Sequence, residues 1–75
     1  MANQTLDAKG LNCPLPILRA KKALQALPPG DTLEVLATDP GSVKDFQAFC
    51  NTTGNELVES STEGTTYRFV LPRRS

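Results

Sequence analysis

The chain has 75 residues, eight basic and eight acidic side chains, no histidine and two cysteines. That suffices for a single domain over residues 1–75 with one small core. Balanced charge argues against a module that grips nucleic-acid phosphates through a basic footprint, and the missing histidine removes a Cys-His dyad, a histidine general base and any histidine metal ligand.

In chain order, Leu6 and Ala8 alternate with polar neighbours, which predicts a short strand over residues 4–8. Gly10 is the turn residue of the loop that follows. From Pro14 to Leu27, Ile17, Ala20, Leu24 and Leu27 recur at spacings of three and four. That is one face of an amphipathic helix. Pro28-Pro29-Gly30 ends it, because a residue before proline is pushed out of the α region. Thr32 to Thr38 predicts a strand, with Leu33, Val35 and Ala37 on one face. Leu36 makes the other face partly apolar, as an inner strand requires. Asp39-Pro40 predicts a second helix, with a capping carboxylate and proline at the first helical position. Ser42 with Asp45 is a weaker, competing start. Val43, Phe46, Phe49 and Cys50 form its apolar face, and Gly54 its C-terminal cap. Two strands follow, over residues 55–61 and 65–71, joined as a hairpin around Glu63-Gly64. Tyr67, Phe69 and Leu71 alternate against Arg68 and Val70, and residues 72–75 read as a frayed tail.

The order β-α-β-α-β-β predicts an α+β fold: a two-layer α/β sandwich with a four-stranded mixed sheet and both helices on one face. Two right-handed crossovers make the helices parallel.

Asn12-Cys13-Pro14-Leu15-Pro16-Ile17 concentrates the chemistry. Proline is tolerated in the first turn of a helix, so Cys13 falls at the helix mouth. There the macrodipole and free backbone donors favour a thiolate. Pro14 and Pro16 each remove a donor, which leaves the N–H groups of Leu15, Ile17 and Leu18. The same prolines serve as helix-start residues and as rigid supports for the thiol. The alternative for Cys13 is a structural cysteine at a helix start. Cys50, on the apolar face of the second helix, reads as a core residue; the alternative is a resolving thiol. With parallel helices the two cysteines lie toward opposite ends, beyond the ~7 Å Cα reach of a disulfide. Lys9, Arg19, Lys21 and Lys22 make the first helix region basic. A solvated helix face and a docking surface for acidic partners both account for them. Asp39 and Asp45 read as a cap and a surface charge. Two cysteines far apart make neither a C-x-x-C pair nor a zinc knuckle, so neither metal nor cofactor is expected. The N-terminus has no secretory pattern. No apolar run approaches the ~18–20 residues of a membrane span. A cytoplasmic protein with reduced thiols is expected, with no membrane and no direct nucleic-acid contact.

With these residues placed, the chain resembles the TusA/SirA family of small sulfur carriers. The resemblance rests on Leu6-Asp7-Ala8, Gly10-Leu11, Cys13-Pro14-x-Pro16, Pro29-Gly30, Asp39-Pro40 with Asp45, Phe49-Cys50, Glu56-Leu57-Val58 and Tyr67-Arg68, over nearly the whole chain. It implies the same sandwich fold and a sulfurtransferase working by persulfide relay, with Cys13 as acceptor and donor of sulfur. It implies a cysteine desulfurase or rhodanese-like donor, and a DsrE/TusD-like or heterodisulfide-reductase-like acceptor. Members of the family serve tRNA thiolation, molybdenum-cofactor supply or dissimilatory sulfur oxidation. Exchange between thiolates and persulfides needs no metal and no acid–base residue in the carrier. Two other functions stand beside this one, a thiol redox protein and a non-catalytic protein or RNA interaction module. The absent C-x-x-C pair weighs against the first. Against the second, the four aromatics, Phe46, Phe49, Tyr67 and Phe69, all fall at core positions and leave no stacking platform.

Overall fold

The computed structural model describes residues 4–12, 14–54 and 57–73. Its elements run β1 (Gln4–Ala8), α1 (Leu15–Ala26), β2 (Thr32–Ala37), α2 (Ser42–Thr53), β3 (Glu59–Glu63) and β4 (Thr66–Pro72). The strands form one sheet in the order β1-β2-β4-β3. β1 pairs parallel with β2, and β4 lies antiparallel to both β2 and β3. β2 is thus an inner strand, as its two-sided apolar character requires.

β1, β2 and β3 share one direction, so α1 and α2 each return the chain between parallel strands and run parallel to one another. The helices cover one face of the sheet. Leu33, Val35 and Ala37 of β2, Phe69 and Leu71 of β4, and Ala8 of β1 are fully buried there. Ala20 and Leu24 of α1 and Phe46 and Cys50 of α2 close over them. The rings of Phe46 and Phe69 stack with centroids 4.5 Å apart, an arrangement that adds to the burial of two large side chains.

Local signals explain the element ends. Leu27 caps α1 in an extended conformation, ψ 147°, because Pro28 follows it. Gly54 takes φ +74° and ends α2 as a left-handed cap. Glu63 faces Thr66 across the hairpin, and Gly64 takes φ +62°. A two-residue turn with glycine first matches the right-handed twist of the strands it joins.

Three expectations are corrected, and one side chain, Val70, is buried where its alternation alone does not place it. α2 begins at Ser42, two residues after Pro40, and neither expected side-chain cap forms. Asp39 instead turns the chain, as its Oδ1 accepts the Gly41 N–H at 3.3 Å. Its carbonyl takes both the N–H and the hydroxyl of buried Ser42, at 3.0 and 2.6 Å. β3 begins at Glu59 rather than 55; Leu57 and Val58 precede it, and 55 and 56 lie outside the described residues. Val70 is buried although it faces away from the helices, because Glu34 and Glu59 flank it in the sheet register. Lastly, of the expected frayed tail, 74 and 75 lie outside the described residues, while Pro72 belongs to β4 and Arg73 is tied down. Its N–H donates to the Asp31 carbonyl, its carbonyl accepts the Gly30 N–H, and its Nε donates to the Leu27 carbonyl.

The uncovered face carries a polar chain across all four strands. Thr5 donates its hydroxyl to Glu34 Oε1 at 2.8 Å. Arg68 Nε pairs with Glu34 Oε2, and Arg68 Nη1 with Glu59 Oε1 at 2.8 Å. Arg68 foremost, then Thr5, holds the Glu34 carboxyl below its ordinary pKa through hydrogen bonds. No helix among the described residues is long and apolar enough to cross a membrane.

Candidate functional site at the head of the first helix

Cys13 lies outside the described residues; its neighbours are described on both sides. Asn12 and Pro14 are exposed. Pro14 is the N-cap of α1, with φ −98° and ψ 20°. Cys13 therefore precedes the cap by one position in the sequence. The Leu15 N–H donates to the Asn12 carbonyl at 2.8 Å. The Leu18 N–H donates to the Pro14 carbonyl at 3.1 Å, the first helical bond. Two of the three donors expected to stabilise a thiolate are thus committed to carbonyls. The helix dipole remains, since no acidic residue sits in the first turn of α1 to oppose it.

The two prolines have different places. Pro16, in the first turn, is fully buried and anchors the helix start. Pro14 is exposed and lines a groove between the helices with Ile17, Leu18, Lys21, Asp45 and Phe49. Asp45 Oδ2 is buried there without a hydrogen-bond partner. Leu15 and Leu18 are 43% and 55% exposed, among the most exposed large apolar side chains described. The head of α1 thus shows solvent an apolar surface beside the cysteine position. The sequence reading missed this pair because the periodic face Ile17-Ala20-Leu24-Leu27 drew attention inward. Their spacing of three, just after the Cys-Pro motif, was the available signal.

The four basic residues do not make one patch. Arg19 and Lys22 line a groove between α1 and β1. Lys21 lines the groove between the helices. Lys9 pairs with Asp7 at 3.0 Å and lines the uncovered sheet face beside Leu36 and Arg68. Hydrogen bonding from Lys9 holds the Asp7 carboxyl below its ordinary pKa. Cys50 sits in the core at 6% exposure, and burial pushes its thiol pKa up. It is a free thiol, and its surroundings make it inert.

The Sulfurtransferase TusA family model matches residues 4–73. The chain belongs to the TusA family. The Sulfur carrier protein TusA of Allochromatium vinosum is 62% identical over 71 residues, 95% of this chain and 93% of that protein. The crystal structure of the SirA-like protein from Desulfitobacterium hafniense superposes with a TM-score of 0.81 at 27% identity, over 96% of this chain and 99% of that one. The expected family and the α+β sandwich are both found. A TusA chain carries sulfur, and such a role brings it into contact with a sulfur donor and a sulfur acceptor.

Proposed function

We propose that this protein carries sulfur as a persulfide on Cys13 and relays it between two proteins. One observation supports the choice of thiol: Cys50 is enclosed in the core with its pKa raised, whereas the residues flanking Cys13 are exposed at the head of a helix. In the first step the Cys13 thiolate attacks the outer sulfur of the donor's persulfide. A bond forms between Cys13 Sγ and that sulfur, the donor's S–S bond breaks, and the electron pair leaves on the donor's cysteine. In the second step an acceptor thiolate attacks the outer sulfur on Cys13, and Cys13 leaves as the thiolate. Neither step requires an external oxidant or reductant, and the rate depends on thiolate fraction and access.

The donor is a cysteine desulfurase or a rhodanese-like protein, and the acceptor a DsrE/TusD-like or heterodisulfide-reductase-like protein, in the cytoplasm. Pro16 fixes the start of α1, Pro14 directs the chain at the thiol, and the whole chain acts as one domain. The test is intact mass after incubation with a cysteine desulfurase and cysteine, and separately with a persulfide-loaded rhodanese. The expected result is a gain of one sulfur that reductant removes, absent in Cys13→Ala and retained in Cys50→Ser. Loading of Cys13→Ala, or no loading of the unaltered protein by either donor, would overturn the assignment.

A further inference from the structure

The groove between α1 and β1 has an apolar floor made by Leu6, Leu18, Ala23 and Ala26, with Arg19 and Lys22 at its rim. Among the described residues, no acidic one lines it. Neither cation has an ion-pair partner among the described residues. β1 forms one edge of the sheet, and among the described strands it pairs only with β2. Leu18 lines this groove and also the groove that Pro14 enters. An occupant of the first would therefore lie within one helical turn of the Cys13 motif.

We infer that this groove and the β1 edge together dock an extended acidic segment of a partner protein, in which an apolar side chain and the carboxylates two positions to either side of it share one face. The inference rests on the sulfur-carrier reading, since it supplies the contact that a donor or acceptor makes with the carrier. A strand added along β1 satisfies the edge's backbone groups. Its alternate side chains then project to the helix-covered side of the sheet, where the groove lies. An apolar side chain fills the floor, and the carboxylates two positions before and after it, on the same side of the added strand, meet Arg19 and Lys22. A basic segment would set like charges together at the rim.

The probe is the peptide acetyl-Asp-Thr-Leu-Thr-Glu-amide, whose leucine and two carboxylates share one face of a strand, titrated into the reduced, nitrogen-15-labelled full chain. Amide shifts are expected at β1 and at Leu18, Arg19, Lys22, Ala23 and Ala26. The peptide acetyl-Lys-Thr-Leu-Thr-Lys-amide should give none there. Reversing both rim charges, in Arg19→Glu with Lys22→Glu, should weaken binding about fivefold or more, the scale of two exposed ion pairs. Lys44→Glu, on exposed α2 surface, should leave it unchanged, and a dispersed spectrum of the reversed variant shows that it still folds. No shifts, equal shifts with the basic peptide, or shifts confined to another surface would overturn the inference. So would peptide-independent shifts at the groove that grow with protein concentration, which mark a second copy of this chain as its occupant. Because the titration does not involve sulfur transfer, its failure alongside normal loading of Cys13 refutes the groove alone.

Discussion

The two helices have the same length, twelve residues, and lie side by side on one face of the sheet. They are used in opposite ways. α2 turns Phe46 and Cys50 fully inward, and the buried Ser42 hydroxyl secures its start. α1 buries Pro16, Ala20 and Leu24 yet leaves Leu15 and Leu18 exposed at its head. In a domain this small every buried side chain counts heavily. The exposed leucines leave burial undone beside the cysteine motif. One helix is turned into the core, and the other keeps an apolar surface in solvent at its head.

The sharpest way to break this comparison is to remove the α2 anchor. Phe46→Ala loses the stacked pair with Phe69 and should cost about 3–5 kcal/mol. A domain of this length has roughly 4–11 kcal/mol in total, so urea unfolding should show a greatly lowered midpoint or no folded baseline. Next comes the head of α1, where the two prolines should separate. Pro16→Ala, at a fully buried position, should cost about 1–2 kcal/mol through lost packing and a freer unfolded chain. Pro14→Ala, at an exposed position, should stay within about 0.5 kcal/mol while slowing sulfur loading. Equal stability losses in urea melts would refute the division between anchor and guide.

The smallest effect belongs to the face that neither helix covers. The folded pKa of Glu34 lies below its unfolded value because Arg68 and Thr5 favour the carboxylate. Its contribution is therefore fully present above the unfolded pKa, about 4.3. It is lost as pH falls through the lower folded value. The urea midpoint should drop over that acid window, and Glu34→Gln should flatten this part of the profile. An unchanged profile in Glu34→Gln would show that the pairing adds nothing to stability.

Much of this was legible in the sequence, for local reasons. The alternation in β2 separates its buried face from its half-buried one, and Gly54 marks the end of α2 because few other residues adopt its φ. The start of α2 was misread because Asp39 has two uses: a carboxylate that can cap a helix can equally fold back onto Gly41 N–H. The start of β3 was set too early, since Leu57 and Val58 are apolar enough for a strand, yet the strand begins at Glu59, with only the Val58 N–H already bonded to the Val70 carbonyl. The Thr5–Glu34–Arg68–Glu59 chain could not be read in advance. It joins residues up to 34 positions apart and exists only because β4 lies between β2 and β3. The cysteine motif was legible as a motif; the commitment of the Leu15 and Leu18 N–H groups to nearby carbonyls needed three dimensions.

That position of β4 also governs how the chain is made. The last of the described strands in chain order fills an inner place in the sheet, and among the described strands β3 pairs only with β4. Until residues 66–72 emerge, β2 has one open edge and β3 has no partner at all. The sheet cannot assemble progressively along the chain, so closure waits for β4. A nascent chain stalled with those residues still in the exit tunnel should remain protease-sensitive, and release should make it resistant in a single step.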